Sequence, residues 1–419
     1  MNINWRRTAL GELETETGGV IQTGPFGSQL HMSDYSDEGT PVVMPTNIRD
    51  MRIDPTDIAR VGDEHVDRLV RHQLRPGDIL YSRRGDVEKC ALVTEHETGW
   101  LCGTGCLLVR VQGEHIDTRF LAYQLSTPAK RGWIRQHAVG LTMLNLNTGI
   151  LREIPIELPD FEEQRRIAGV LGALDDKIES NRQVCSLIDL LATELFCDRF
   201  TVHTRGGTSD LMTIGDIGEI VGGGTPSKKV EEYYADSGIA WLTPRDLSKD
   251  RSIFRQHGEF DISELGLRKS SARLLPRGTV LFTSRAPIGY IAIASGETST
   301  NQGFKSIVPH SNFGTPFTFY LLKQLTPEIV TSANGSTFKE ISKSGLAKVS
   351  FKSPSTEAVQ AFNATVQPLL DLQEVKEIEN CQLSQLRDTL LPELMSGRMR
   401  VDKAGCLVSE ALDEEVADV

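Results

Sequence analysis

The sequence predicts an α+β protein of two homologous halves, each a strand-rich globular domain followed by a long coiled-coil helix. Three observations predict it. The chain is written twice with a period near 200 residues, its globular stretches alternate short apolar runs with Gly/Pro turns, and two stretches of about 40 residues carry heptad spacing.

The repeat is collinear. Gly39-Thr-Pro-Val-Val-Met-Pro45-Thr-Asn-Ile48 aligns with Gly238-Ile-Ala-Trp-Leu-Thr-Pro244-Arg-Asp-Leu247. Arg75-Pro-Gly77-Asp-Ile-Leu-Tyr-Ser82 aligns with Pro276-Arg-Gly278-Thr-Val-Leu-Phe-Thr283, and Arg84 falls opposite Arg285. Phe120-Leu-Ala-Tyr123 matches Phe317-Thr-Phe-Tyr320, and residues 140–159 run parallel to 335–354. The offset drifts only from 201 (Arg84 to Arg285) to 195 (Pro159 to Pro354), and chance matches would not keep that order.

Within each half, Pro76-Gly77-Asp78 and Pro276-Arg277-Gly278 are turn signals leading into the β-type runs Ile79-Leu80-Tyr81 and Val280-Leu281-Phe282. Further strands are expected at 107–111, 154–158 and 291–294, and short helices at 120–125 and 317–322. From Glu162 to Phe200 there is no proline, and Ile167, Leu171, Leu174, Ile178, Asn181, Cys185, Ile188, Ala192 and Leu195 keep the alternating three-and-four spacing of a coiled-coil seam. Asn181 is its polar member, of the kind that fixes register. The second helix is expected over about 357–396, where Phe362, Val366 and Leu369 lead towards Leu383, Leu386, Leu390 and Leu394. Two such helices can pair antiparallel, and each would be ~60 Å long at ~1.5 Å per residue. A dimerisation stalk would show the same periodicity.

The expected divisions are a first domain over 1–158, a helix over 159–200, a second domain over 201–353, a helix over 354–400 and an acidic tail over 401–419. The tail has the composition of a disordered segment, with Glu410, Asp413, Glu414, Glu415 and Asp418 against the single Lys403. A length of 419 residues exceeds one ordinary core. No apolar run approaches the length of a membrane span, and the first residues lack the apolar core of a secretory signal. Seven scattered cysteines without a CxxC pair suit reduced thiols in a cytoplasm, with Cys102 and Cys106 expected as buried thiols rather than metal ligands. The net charge of −12 permits a basic face on the globular parts but does not predict one.

No catalytic constellation emerges. Gly222-Gly-Gly-Thr225-Pro226-Ser227-Lys228 lacks the spacing of a phosphate loop, and Pro226 removes an amide where the cradle needs donors. Asp160, Asp175 and Lys177 mimic a metal-nuclease signature, but the heptad helix puts Asp175 and Lys177 about 22 Å along its axis from Asp160.

Several motifs resemble the specificity (S) subunits of type I restriction–modification systems. Leu158-Pro159-Asp-Phe-Glu162-Glu163-Gln164-Arg-Arg-Ile167, continuing to Leu174-Asp175-Asp-Lys177-Ile178-Glu-Ser-Asn181, looks like that family's central conserved helix. Gly24-Pro25-Phe26-Gly27-Ser28-Gln29-Leu30 is similar to the opening of one class of its target-recognition domains. Gly222-Gly-Gly-Thr225-Pro226-Ser227 with Tyr233-Tyr234 and Ile239-Ala-Trp241-Leu-Thr243-Pro244-Arg-Asp246 is similar to another. Asn301-Gln302-Gly303-Phe304-Lys305 and Gly335-Ser-Thr-Phe-Lys339-Glu-Ile341-Ser also look like family elements. The resemblance covers nearly the whole chain except the acidic tail.

The resemblance implies a non-enzymatic subunit with two target-recognition domains, each reading one half of an asymmetric, bipartite site on double-stranded DNA, the coiled coil setting the gap. It implies recruitment of two methyltransferase (M) subunits for adenine N6 methylation and of motor–nuclease (R) subunits for ATP-dependent cleavage, so phage defence in the cytoplasm. S-adenosylmethionine, ATP and Mg are expected on those partners, with no cofactor or metal on this chain. Phosphate anchoring needs cations and amides, and base reading needs Arg, Asn or Gln. The candidates are Gln22, Thr23, Ser28, Gln29, Asn47, Arg49, Arg83 and Arg84 in the first domain. In the second they are Thr225, Ser227, Lys228, Arg245, Asp246, Ser284, Arg285, Asn301 and Gln302. Arg84 and Arg285 stand out because both follow a strand at the same place in the repeat; an internal ion pair would also explain them. Glu163 and Gln164, with seam residues Ile167, Leu171, Leu174, Ile178 and Asn181, are the expected coiled-coil and M-subunit positions. The second helix begins Ser353-Pro-Ser-Thr-Glu-Ala-Val359 without the Glu-Gln pair, so the two ends would grip partners unequally if that pair contacts a partner subunit. The alternatives are a coiled-coil scaffold with protein- or carbohydrate-binding domains, and an enzyme with an unrecognised site.

Overall fold

The computed structural model describes residues 5–49, 51–140, 143–200, 210–250, 252–285, 287–333 and 339–413. Residues 335–338 of the Gly335 motif and 414–419 of the tail lie outside them. The chain divides into two compact units, residues 1–177 with 382–419 and residues 178–381. Each unit holds one globular segment and part of each long helix.

The globular parts repeat one topology. In the first unit a four-stranded sheet runs Val20–Thr23, Cys106–Arg110, Ile79–Ser82, Cys90–Leu92. The second unit gives Gly218–Gly222, Lys305–Pro309, Val280–Ser284, Ile288–Ala294 in the same order, with Phe254–Arg255 added at the edge. The central strands Ile79–Ser82 and Val280–Ser284 are buried along their whole length, which is why each opens on three consecutive apolar residues rather than an alternating pattern. Both are entered through a glycine with positive φ, Gly77 at 86° and Gly278 at 80°. A second sheet orders Leu101–Cys102, Thr40–Val43, Ala59–Val61, Tyr35–Ser36, matched by Thr298–Thr300, Ile239–Leu242, Phe260–Ile262, Tyr234–Ala235. The first pair of each is parallel. A two-stranded antiparallel ribbon ties the start of each domain to the strand before its long helix: Arg6–Ala9 with Pro155–Leu158, and Leu211–Thr213 with Ser350–Lys352. The expected short helices are Thr118–Ser126 and, longer than expected, Gly314–Ser332.

The first long helix is Phe161–Arg199 and the second Thr356–Met395. Asp160 Oδ1 accepts from Glu163 N at 2.9 Å and Ser355 Oγ accepts from Ala358 N at 3.2 Å, so each start is capped by the residue the sequence places there. In the first unit Ile167, Leu171 and Leu174 are buried, as are Leu383, Leu390 and Leu394, and Arg387 Nη1 reaches Asp175 Oδ1 at 2.8 Å. In the second unit Ile178, Asn181, Cys185, Ile188 and Ala192 form the buried stripe. There the helices run antiparallel, since Asn181 meets Asn380 while Phe196 meets Phe362. The seam differs from the expected one near its far end. Phe196 and Leu370 are fully buried where Leu195 and Leu369 were expected, because an α-helix drifts ~20° per heptad against a strict seven-residue repeat.

The tail corrects its expectation as well. Residues Val401–Asp413 are a helix, with Val401, Ala404 and Val408 buried on one face and Asp402 paired with Arg166. Three apolar residues at helical spacing outweigh the acidic composition there.

Candidate nucleic-acid interface

The same three segments converge in each unit: the loop leaving the first strand of the main sheet, the turn preceding the second, and the residues following the third. In the first unit Gly24 N donates to Cys106 O at 2.9 Å, and a Cβ on Gly24 would lie 2.1 Å from Gly103 O. Only glycine allows that approach, which leaves Phe26, Gly27, Ser28 and Gln29 exposed beyond it. Arg83 N donates to Gly105 O at 2.8 Å, fixing the third segment to the same turn. In the second unit a Cβ on Gly223 would lie 2.0 Å from Asn301 O, and Gly224 N donates to Thr300 O at 2.8 Å. Trp241 Nε1 and Tyr234 OH hold the loop by donating to Gly224 O and Pro226 O at 3.0 and 2.9 Å. Ser284 N donates to Gly303 O at 2.7 Å, the counterpart of the Arg83 bond. The glycine run is a close-packing device.

Arg84 and Arg285 occupy one position in the repeat. Arg84 forms a backbone β-bridge with Asn145, and Arg285 forms one with Glu340. Arg84 is exposed and its side chain has no hydrogen bond or ion pair among the described residues. Arg285 Nη1 lies 4.0 Å from Glu340 Oε2. Beside Arg285, Ser284 Oγ lies 3.5 Å from Lys305 Nζ, which is also 3.5 Å from Gln302 O, and Gln302 is hydrogen-bonded to Thr225. Burial lowers the Lys305 pKa below the ordinary lysine value, opposed by Glu340. Lys228 and Ser227 are exposed, and Arg245 is exposed with Glu259 at 4.0 Å. Lys305 and Glu340 were not among the sequence candidates, although both stand in quoted motifs; Lys305 could have been found as a charged residue opening an otherwise uncharged strand, whereas Glu340 lies in a polar loop and carried no such signal.

Other candidates are spent on the fold. Asn47 is buried: its Oδ1 accepts from Met44 N at 3.0 Å, and its Nδ2 donates to Asp54 O at 3.0 Å and Thr56 O at 3.4 Å. Asp246 is buried as well, accepting from Thr243 N, Thr243 Oγ1 and Glu259 N at 2.7, 2.6 and 3.0 Å. Ser284 is fully buried and its Oγ donates to Gly303 O at 3.0 Å. These three are corrected to structural roles. Gln22 exchanges hydrogen bonds with Arg71, at 2.6 Å to Arg71 O and 3.2 Å from Arg71 Nη2. Thr23 is a half-buried strand residue paired with Leu107, Gln29 Oε1 accepts from Phe26 N at 3.2 Å, and Arg49 Nε lies 3.7 Å from Asp54. Asn301 Oδ1 accepts from Gly303 N at 2.8 Å, shaping the turn that presents Gln302.

On the first long helix, Gln164 is buried within its own unit. Its Oε1 accepts from Asp117 N at 3.0 Å and its Nε2 donates to Pro159 O at 3.0 Å and His115 O at 3.2 Å. The expected contact of Gln164 with a partner is therefore corrected: the amide satisfies its own domain's backbone. Glu163 is partly exposed and pairs with Arg166 at 3.0 Å. In the second unit Asn363 does the equivalent work, accepting from Phe317 N at 3.0 Å and donating to Phe313 O at 2.6 Å. The work of the missing glutamine is thus done one helical turn after Val359. The nuclease-like acids are also committed, Asp160 as a cap and Asp175 to Arg387 and Tyr123 OH. Cys102 and Cys106 are buried, and burial pushes the Cys102 thiol up to about 12. No helix among the described residues is long and apolar enough to cross a membrane.

A family model described as the type I restriction modification DNA specificity domain matches residues 70–188 and 207–383. The type I restriction enzyme MjaIX specificity subunit of Methanocaldococcus jannaschii is 40% identical over 173 residues, covering 41% of this chain and 40% of that protein. The putative type I restriction enzyme MjaX specificity subunit of the same organism is 24% identical over 428 residues, covering 95% of this chain and 97% of that one. The crystal structure of a type I restriction–modification S subunit from M. genitalium superposes with a TM-score of 0.55 at 18% identity, covering 94% of this chain and 96% of the other.

Proposed function

The chain belongs to the type I restriction–modification DNA specificity family, and from that premise we infer that it is the non-catalytic subunit that gives such a complex its DNA sequence specificity. One observation carries the molecular reading: the two units repeat a single fold but present different side chains at equivalent positions, Arg84 beside Asn145 and Arg285 beside Glu340. Two unlike readers suit a site with two unlike halves. Backbone amides and cations such as Lys228 would anchor phosphates, while Arg84, Arg285 and Gln302 would meet base edges. The two long helices would set the unspecified gap. M subunits carrying S-adenosylmethionine would flip and methylate an adenine, and R subunits carrying ATP and Mg would cut unmethylated DNA, in the cytoplasm. This chain would bind none of those cofactors.

The test is mapping of N6-methyladenine in a methylation-free host carrying this chain with and without its cognate M subunit. A split motif of fixed gap, requiring both proteins, is the expected result. Methylation from this chain alone, or none from a soluble complex, would overturn the reading.

A further inference from the structure

We propose that Glu340 is a positioning residue for specificity in the second unit, holding Arg285 in the orientation that reads a guanine. The inference rests on the DNA-reading role proposed above. Glu340 is tied by its backbone to the strand end that carries Arg285, through their β-bridge and the Ile341 N to Ser284 O bond of 3.0 Å. Its carboxylate lies between two cations, 4.0 Å from Arg285 Nη1 and 3.9 Å from Lys305 Nζ. Lys305 is itself anchored against Phe304 O at 3.3 Å, so the carboxylate has one fixed partner and one partly exposed partner.

The first unit provides the contrast. Strand pairing places Leu107 beside Thr23 where Lys305 stands beside Gly222, and Asn145 stands where Glu340 does. Arg84 therefore has no carboxylate at that position to orient it. A carboxylate at a DNA-facing surface repels phosphates, so its presence beside Arg285 is unfavourable for plain backbone binding. It is favourable when a guanidinium must be held with its fork ready for the O6 and N7 acceptors of guanine, since less rotamer freedom is then lost on binding.

The experiment compares wild type, Glu340→Gln and Arg285→Lys, each as full-length chain with its M subunit, by methylome mapping and thermal unfolding. Arg285→Lys keeps the charge and removes the planar fork. Both variants are expected to relax one and the same guanine position, in one half-site, by about tenfold in preference. The other half-site and the gap are expected to stay unchanged, with melting temperatures within error of wild type. An unchanged motif in Glu340→Gln, whether or not its melting temperature falls, would overturn the inference. So would relaxation at a position that Arg285→Lys leaves intact. A wild type that yields no split motif defeats the DNA-reading role itself and this inference with it, a result distinct from failure of the variants alone.

Discussion

Asn181 Nδ2 donates to Asn380 Oδ1 at 3.1 Å, so the polar position in the helix seam is met by a polar partner from the antiparallel helix. Asn181 is only 3% exposed. Its replacement by alanine strands the Asn380 amide and is expected to cost about 1–3 kcal/mol in urea unfolding. Replacing both with leucine is expected to recover that stability, as apolar pairs do, while loosening register. A double variant no more stable than the single one would show that this pair is not a coupled unit.

Gln164→Ala is expected to destabilise the chain by about 2 kcal/mol or more, because Asp117 N and the His115 and Pro159 carbonyls lose their partner. Asn363→Ala is expected to do the same through Phe317 N and Phe313 O. Calorimetry of both variants checks this. Wild-type melting with lost binding of the M subunit would return Gln164 to a partner-contact role.

Arg84→Ala is expected to leave melting unchanged, since the side chain is exposed and makes no hydrogen bond or ion pair among the described residues. DNA affinity of the assembled complex should fall, either with the salt slope reduced by about one if Arg84 meets a phosphate, or with one base position relaxed if it meets a base. Titrations across salt concentrations separate these, and no change in either would remove Arg84 from the interface.

The C-terminal helix is expected to give slowed amide exchange across 404–410, because Val401, Ala404 and Val408 are buried against the first unit. Ala404→Glu would bury a charge and should abolish that protection while the sheets keep theirs. Unprotected amides in the wild type would mean that the helix is not docked.

His72 is buried in the first unit with Nδ1 unpartnered among the described residues, and burial, aided by Arg71, lowers its pKa from 6.5 to about 4. The unfolded chain therefore binds the proton first, and its contribution to stability, full above pH 6.5, declines as the pH falls towards about 4. His72→Phe should flatten the pH dependence of unfolding across that window. An unaltered slope would mean that other groups govern it.

Much of the fold was legible. The strands at 79–82 and 280–284, the two long helices and the repeat all announce themselves through periodicity and collinear motifs. The C-terminal helix was not, because charge in the tail masked three apolar residues at helical spacing. The seam was read one residue off at Leu195 and Leu369, where a strict heptad and a real helix part company.

The sequence by itself determined the two-fold architecture, the family and the place of Arg84 and Arg285 within the repeat, because local periodicity and motif order survive in one dimension. Only the tertiary structure decided which polar side chains remain available. Asn47, Asp246 and Ser284 look like recognition residues in the sequence and Gln164 like a partner-contact position, yet each is bonded to backbone that the fold buries. Buried amides and carbonyls must find partners, and which of them are buried depends on contacts between segments far apart in the chain.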